Sequence, residues 1–376
     1  MQHIEIPPLD IWDCLFERRE KPFPDDHSMY ISPISKPDTN RVVIFKSPSG
    51  EVRTYSDIRS QALSFGANLQ SQWGWQKGDI LLVFTPNDID IPALFWGCHW
   101  AGGVVSPVNP TYTADELKYQ LSDTGAKALV VHTSLLDTAI AAAKRVDFPV
   151  AHMLVVGPDS PEAELQHVES MLEGGAPGTI RPRIDAAVDT AFLVYSSGTT
   201  GRSEGARITH TNLVAELIIQ RQVDGEHISW RNDRFLAFLP TYHIFGMSTL
   251  NGDNLIYRLT SLYAGLVCLV HVPLLMGIET TIVEKFSVKS FLHNVQTESI
   301  THIFVAPPVV LHLAKDPAIT REQLSSLRMV TSAGAPLAPN LVRAVYDRLK
   351  IPVRQGFGLT ESTAASHMQV SSIRSI

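Results

Sequence analysis

Short apolar, β-branched runs alternate with amphipathic helical patterns along most of this chain, and that alternation restricts it to parallel strands joined by helical crossovers. Ile80 to Phe84 (ILLVF), Ala128 to Val131 (ALVV), Met153 to Val156 (MLVV), Ala191 to Tyr195 (AFLVY), Ile303 to Ala306 (IFVA) and Met329 to Thr331 read as buried strands. Between them, Ser56 to Leu69 carries apolar residues at helical spacing behind a Thr54/Ser56 start signal, and Ala114 to Thr124 repeats the pattern. An α/β architecture follows. Residues 157–189 are rich in Pro, Gly, Asp and Glu, which predicts a surface connection between two α/β halves.

The 376 residues, 44% of them hydrophobic and 18% charged, suffice for a large buried core. With 31 Lys plus Arg against 38 Asp plus Glu, the formal charge of -7 offers no general basic field, so nucleic acid and anionic membrane surfaces are not expected partners. The most apolar stretch, Tyr263 to Ile278, is interrupted by His271 and Pro273 and falls short of the ~20 residues of a membrane-spanning helix, so it reads as buried core. Cys14, Cys98 and Cys268 are far apart and form neither a CxxC pair nor a Cys/His cluster. That spacing predicts reduced thiols in the cytoplasm, with no disulfide framework and no structural zinc. The N-terminus lacks the basic-then-apolar pattern of a secretory signal, and Arg374-Ser375-Ile376 is not a peroxisomal Ser-Lys-Leu address.

The sharpest local signal is Tyr195-Ser196-Ser197-Gly198-Thr199-Thr200-Gly201, directly after an apolar strand. Two glycines let the backbone curl close to a ligand, while hydroxyls and N–H groups face into the curl, a chemistry that suits phosphate oxygens. Such a loop by itself is ordinarily a polar turn. Its company decides otherwise: Leu239-Pro240-Thr241-Tyr242-His243-Ile244-Phe245-Gly246, then Thr331-Ser332-Ala333-Gly334-Ala335-Pro336-Leu337, then Gln355-Gly356-Phe357-Gly358-Leu359-Thr360-Glu361-Ser362. Together these resemble the adenylate-forming superfamily of acyl-CoA synthetases, peptide-synthetase adenylation domains and luciferases. Ala101 to Pro110 and Tyr119 to Lys127 resemble its early motifs, and Gly265 to Pro273 (GLVCLVHVP) followed by Glu284-Lys285-Phe286 is most similar to 4-coumarate-CoA-ligase-like enzymes of the fungal type.

The resemblance implies two stacked α/β subdomains, with residues 1–369 as an incomplete AMP-binding N-terminal domain. It implies ATP, Mg²⁺ and coenzyme A as cofactors and a small carboxylic acid as substrate. By resemblance, the loop Ser196, Ser197, Gly198, Thr199, Thr200 and Gly201 holds phosphates, and Thr360 contacts the α-phosphate. Glu361, with Thr200, would bind Mg²⁺, a hard cation that prefers oxygen ligands. Gly334, Ala335 and Pro336, with the ring of Phe357 and its neighbours Gln355, Gly356 and Gly358, would enclose the adenine. His243 and Phe245 would border the acyl pocket together with Gly334, and Lys285 would contact coenzyme A. His243, Thr360 and Glu361 are the residues expected to act in catalysis.

Three departures stand out. Where the family's phosphate loop continues Pro-Lys-Gly, this chain has Ser203-Glu204-Gly205, and a carboxylate beside a polyphosphate is repulsive by about 1 to 4 kcal/mol. Arg202 and Arg207 flank it as possible compensating charges. Residues 247–264 (MSTLNGDNLIYRLTSLYA) form an atypical insertion against the expected acyl pocket, of a length that a short retained intron would encode. Residues 370–376 read as an unrelated tail, and the family's third, β-rich subdomain and mobile C-terminal domain are expected to be missing. The function so implied is ATP-dependent activation of an aromatic or medium-chain acid and its transfer to coenzyme A, impaired in this chain. A non-catalytic nucleotide- or acyl-binding remnant, or an adenylating half completed in trans, are the alternatives.

Overall fold

The computed structural model describes residues 4–17, 42–158, 165–175, 178–197, 203–225, 227–240, 264–284 and 286–369, with Ser196, Ser197 and Ala264 described as backbone only. In chain order the elements are α1 (Ile11–Phe16), β1 (Val43–Lys46), β2 (Val52–Thr54), α2 (Tyr55–Trp73), β3 (Ile80–Phe84), α3 (Ile91–Trp100), β4 (Val104–Val108), α4 (Ala114–Thr124) and β5 (Ala128–His132). There follow α5 (Leu136–Lys144), β6 (Met153–Val156), β7 (Gln166–His167), α6 (Glu169–Leu172), β8 (Thr190–Ser197), β9 (Ser203–Thr209), α7 (His210–Asp224) and β10 (Arg234–Ala237). Beyond a π-helix at Ala264–His271 lie β11 (Glu279–Ile282), β12 (His302–Val305), β13 (Met329–Ser332), β14 (Val353–Leu359) and β15 (Ala364–Met368), with helices in the crossovers.

Two sheets result. Seven strands run in the order β7-β6-β5-β3-β4-β8-β9, and eight in the order β15-β14-β13-β12-β10-β11-β1-β2. Neighbours are parallel except at the hairpins β1/β2, β8/β9 and β14/β15. Residues of β3 alternate between two cores: Leu81 and Val83 face the large core shared with the other sheet, whereas Leu82 and Phe84 face the smaller core under α4 and α5. That two-residue period with both faces apolar is what a central parallel strand requires.

Helix α3 explains how the sheets stack. Every residue from Ile91 to His99 is buried, as expected of a helix apolar on all sides. Phe95 meets Phe192 of β8 at 5.6 Å between ring centroids, and the next residue, Trp96, stacks on Phe45 of β1 at 6.4 Å. One helix is thus packed between both sheets. It crosses α2 with backbones nearly touching, since a Cβ on Gly97 would lie 2.5 Å from the Ala62 carbonyl oxygen.

Helix α4 has the bounds read from sequence, whereas α2 starts at Tyr55 and runs on to Trp73, four residues past the expected Leu69. Thr54 and Asp57, and Thr113 and Glu116, form reciprocal capping boxes at the starts of α2 and α4. Gly74 and Gly125 close both helices in the left-handed conformation.

The predicted connection between halves is corrected. Within 157–189, β7 pairs with β6, and Val168, Met171 and Leu172 are buried. Asn68 of α2 donates to the carbonyls of Met171 and Glu173 at 3.0 and 3.1 Å, fixing this segment to the first sheet. The next two strands, β8 and β9, still belong to that sheet, so the passage to the second is made by α7. Pro and Gly marked irregular backbone, not a boundary.

The stretch 265–278 is largely buried core, in π- and α-helical form. Among the described residues no helix is long and apolar enough to cross a membrane.

Candidate active site

Parallel strands place their carboxyl ends on one side of a sheet, and that is where open α/β folds bind ligands. Ser332 at the end of β13 is in register with Gln355 of β14, so Gly334–Pro336 and Gln355–Phe357 emerge side by side. Gly334 turns the chain at φ +88°, which glycine tolerates without strain. β15 folds back on β14 with Phe357 opposite His367 and Gly356 opposite Met368. These three segments, Gly334–Pro336, Gln355–Phe357 and His367–Gln369, line a pocket of about 480 Å³. The Phe357 ring is 58% exposed, an unusual position for an aromatic residue, and stands 6.2 Å from the His367 ring.

Gly358 makes the hairpin possible. A Cβ there would lie 1.6 Å from the Ala364 carbonyl oxygen, so no other residue fits. Immediately beyond, a 3₁₀ turn spans Thr360–Ser362. Thr360 is 2% exposed, and its Oγ1 has no hydrogen-bond partner among the described residues. A buried hydroxyl without a partner is costly, by about 1–3 kcal/mol. Glu361 points to solvent.

Strand β9 of the first sheet packs against this turn, which brings the end of the β8/β9 hairpin to the second sheet. Asn87, after β3, joins the sheets nearby by donating to the carbonyls of Leu239 at 2.9 Å and Val283 at 3.3 Å. The hairpin is in register Ser196 with Glu204 and Ser197 with Ser203. Its base is clamped by tyrosines: Tyr119 OH donates to the Ser203 carbonyl at 3.2 Å, Tyr112 OH bonds Ser203 Oγ at 3.3 Å, and Tyr195 OH donates to Asp123. Burial and the Asp123 carboxylate push the Tyr195 phenol far above its ordinary range, so it remains a donor.

Behind the pocket, Arg354 of β14 binds Asp224 at the end of α7 and donates Nε–H to Thr331 Oγ1 of β13 at 2.7 Å. One guanidinium therefore joins the two strands whose ends wall the pocket.

Of the residues singled out from sequence, Gly334, Ala335, Pro336, Gln355, Gly356, Phe357, Gly358, Thr360 and Glu361 gather on β13, β14 and the turn after it. Gly198, Thr199, Thr200, Gly201, Arg202, His243, Phe245 and Lys285 lie outside the described residues, as do 247–263 of the insertion and the tail 370–376. Arg207 does not answer Glu204. The two are three residues apart on β9 and so face opposite sides, and the Arg207 guanidinium bonds Thr190 Oγ1 at 3.0 and 3.1 Å. Sequence reasoning gave no site role to Arg354, His367, Met368 or Gln369, and strand β15, with its burial not alternating, offers no local signal for the last three.

The chain matches the AMP-binding enzyme family over residues 34–252 and 260–375. The chain belongs to the AMP-binding enzyme family. The gap in the match, 253–259, lies inside the stretch 247–264 that was expected from sequence to be an insertion. A 4-coumarate–CoA ligase of Pinus taeda is 30% identical over 318 residues, 82% of this chain and 54% of that one, so the chain spans about half the length of the curated relatives it matches. ATP-bound MatB from Rhodopseudomonas palustris shares the fold with a TM-score of 0.74 at 23% identity, over 97% of this chain and 62% of that one. The N-terminal domain of FACL13 from Mycobacterium tuberculosis does so with a TM-score of 0.69 at 21% identity, over 96% of this chain and 79% of that one. The two-sheet α/β architecture is that of the N-terminal domain of adenylate-forming AMP-binding enzymes.

Proposed function

We propose that this chain is the nucleotide-binding part of an acid-thiol ligase, which activates an aromatic or medium-chain carboxylic acid with ATP as an acyl adenylate for transfer to coenzyme A. The observation that carries this reading is the Thr360 hydroxyl, buried without a partner among the described residues in the turn that leaves the pocket wall. An acceptor oxygen of a phosphate would satisfy it. The pocket supports the same reading: it is lined by Gly334–Pro336 and by the exposed Phe357, whose aromatic ring suits a purine face.

In this reading the Ser196–Gly201 loop holds the phosphates by backbone N–H groups and hydroxyls, and Thr360 donates to the α-phosphate. Glu361, with Thr200, serves Mg²⁺, which is commonly held by one or two carboxylates together with substrate phosphates. The residues described fit that arrangement, since Glu361 is exposed beside β9 and Thr360. A bound Mg²⁺ would supply charge neutralisation between two anions. His243 and Phe245 border the acid, and Lys285 contacts coenzyme A. The chain itself turns over little, because Glu204 stands at the end of the phosphate hairpin.

Glu204 also favours a second reading, a nucleotide- or acyl-binding protein without catalysis. Calorimetric titration of the 376-residue chain with Mg·ATP, beside Glu204→Lys, tests both. Binding by the native chain that tightens in the variant supports the ligase reading, and pyrophosphate release with any acid eliminates the second. No binding of ATP or AMP by either protein overturns the nucleotide reading.

A further inference from the structure

Between Leu359 and Ala365 the backbone adopts a conformation that its side chains oppose. Thr363 and Ala364 follow one another at φ +58° and +102°, a region seldom occupied by residues other than glycine. Such strain costs on the order of 1–3 kcal/mol per residue and persists only where surrounding groups enforce it. Ser362 does so from within, its Oγ accepting the Leu359 N–H at 2.9 Å and donating to the Ala364 carbonyl at 3.1 Å.

A second group reaches in from outside. Glu216, in the middle of α7, accepts the Ala365 N–H on Oε1 at 3.2 Å, and the same oxygen accepts Gln220 Nε2 at 2.8 Å. Glu216 is 4% exposed. A carboxyl in so buried a position is expensive unless its bonds are used.

We propose that Glu216 is a positioning residue: by holding the Ala365 N–H it locks the Thr363–Ala364 backbone in its left-handed conformation and so presents Thr360 and Glu361 to a nucleotide phosphate. The lock is a property of the turn; its use rests on the nucleotide reading above.

The lock responds to ionisation. Burial raises the Glu216 carboxyl to about 7, against the opposing hydrogen bonds from Gln220 and Ala365. Ionisation costs more in so buried a place than it does once the turn opens to water, so the lock weakens as pH rises through about 7. Other ionisable groups lie close by, among them exposed His367 on β15, two residues beyond Ala365. On α7, Asp224 is bound to Arg354 of β14. On the π-helix, burial holds the Cys268 thiol well above its usual value and lowers His271 to about 4, so both are neutral.

Hydrogen exchange of the segment Thr360–Met368, corrected for intrinsic rates, tests the lock in the ligand-free chain between pH 6 and 8. Protection of Ala365 is expected to fall through about pH 7 in the native protein and to be flat in Glu216→Gln. In Glu216→Ala it should fall about tenfold, the scale of one charge-assisted hydrogen bond. Equal protection in the native protein and Glu216→Ala overturns the lock. Should that variant not fold, a pH-independent Ala365 in the native chain overturns it equally. Mg·ATP titration of the same proteins separates the two readings. Absence of native binding defeats the nucleotide reading and with it the presentation role, while the exchange result still decides the lock. Native binding that Glu216→Ala leaves unchanged overturns the presentation role.

Discussion

Arg354 and Asp224 meet as a buried two-point ion pair, with Nη1 2.5 Å from Oδ1 and Nη2 3.1 Å from Oδ2. Each side chain is 5% exposed, so neither charge has water to fall back on. Removing one partner of such a pair leaves an unpaired buried charge, at a cost of about 3–5 kcal/mol. Asp224→Asn is therefore expected to lower unfolding free energy by that order in urea titrations. The double variant Asp224→Leu/Arg354→Met should lose clearly less than the two single variants added together.

The crossing of α2 and α3 gives a second expectation. At Gly97 an added methyl group would meet the Ala62 carbonyl oxygen at 2.5 Å and the Phe65 ring at 3.0 Å, both within rigid, buried elements. Gly97→Ala should destabilise by roughly 1–3 kcal/mol despite the better helix propensity of alanine. A thermal melt that moves upward in this variant would contradict the close crossing.

Stability should depend on pH in a predictable direction. Burial lowers His210 and His271 to about 4 and depresses His99 and His302 as well. Each binds its proton more readily when unfolded, so each contributes stability that is complete above the unfolded value near 6.5 and is lost as pH falls toward 4. Glu216 at about 7 and Asp88 at about 6 act in the opposite sense, losing stability as pH rises between 4 and 7. Four histidines outweigh two carboxyls. Calorimetric melting temperatures should climb from pH 4.5 to 6 and level off or dip slightly by pH 7, with a slope of roughly 1 kcal/mol per pH unit for each uncompensated histidine.

Phe357 offers the most direct test of the pocket. Its ring is 58% exposed and carries little packing of its own, so Phe357→Ala should leave the melting temperature nearly unchanged. Base stacking on an aromatic ring is worth about 1–3 kcal/mol, which predicts roughly 5- to 150-fold weaker binding of AMP or ATP by calorimetry. Unaltered affinity would remove the ring from the adenine site.

Strands with uniform apolar faces were legible in the sequence because their pattern is local: Ile80–Phe84 and Met153–Val156 stand as they were read. Strands β10 and β11, RFLA and ETTI, were not, since a charged residue heads each and their apolar character depends on neighbours far along the chain. The site divides in the same way. Gly334–Pro336 and Gln355–Gly358 were visible because their motifs resemble those of the adenylate-forming superfamily. Arg354, Asp224 and Glu216 carry no local pattern; their roles arise only when α7 is laid against β14 and β15.

The order of strands has a consequence for synthesis. The seven-stranded sheet takes all its strands from residues 80–209 and can assemble as the chain emerges. The hairpin β1/β2 cannot join its sheet then, because Phe45 pairs with Thr280, which is translated about 230 residues later. At roughly 5–20 residues per second that is a wait on the order of 10–50 s with an unpaired apolar edge. The amino-terminal hairpin thus waits with an open edge, a surface for a chaperone to cover while the ribosome is still at work.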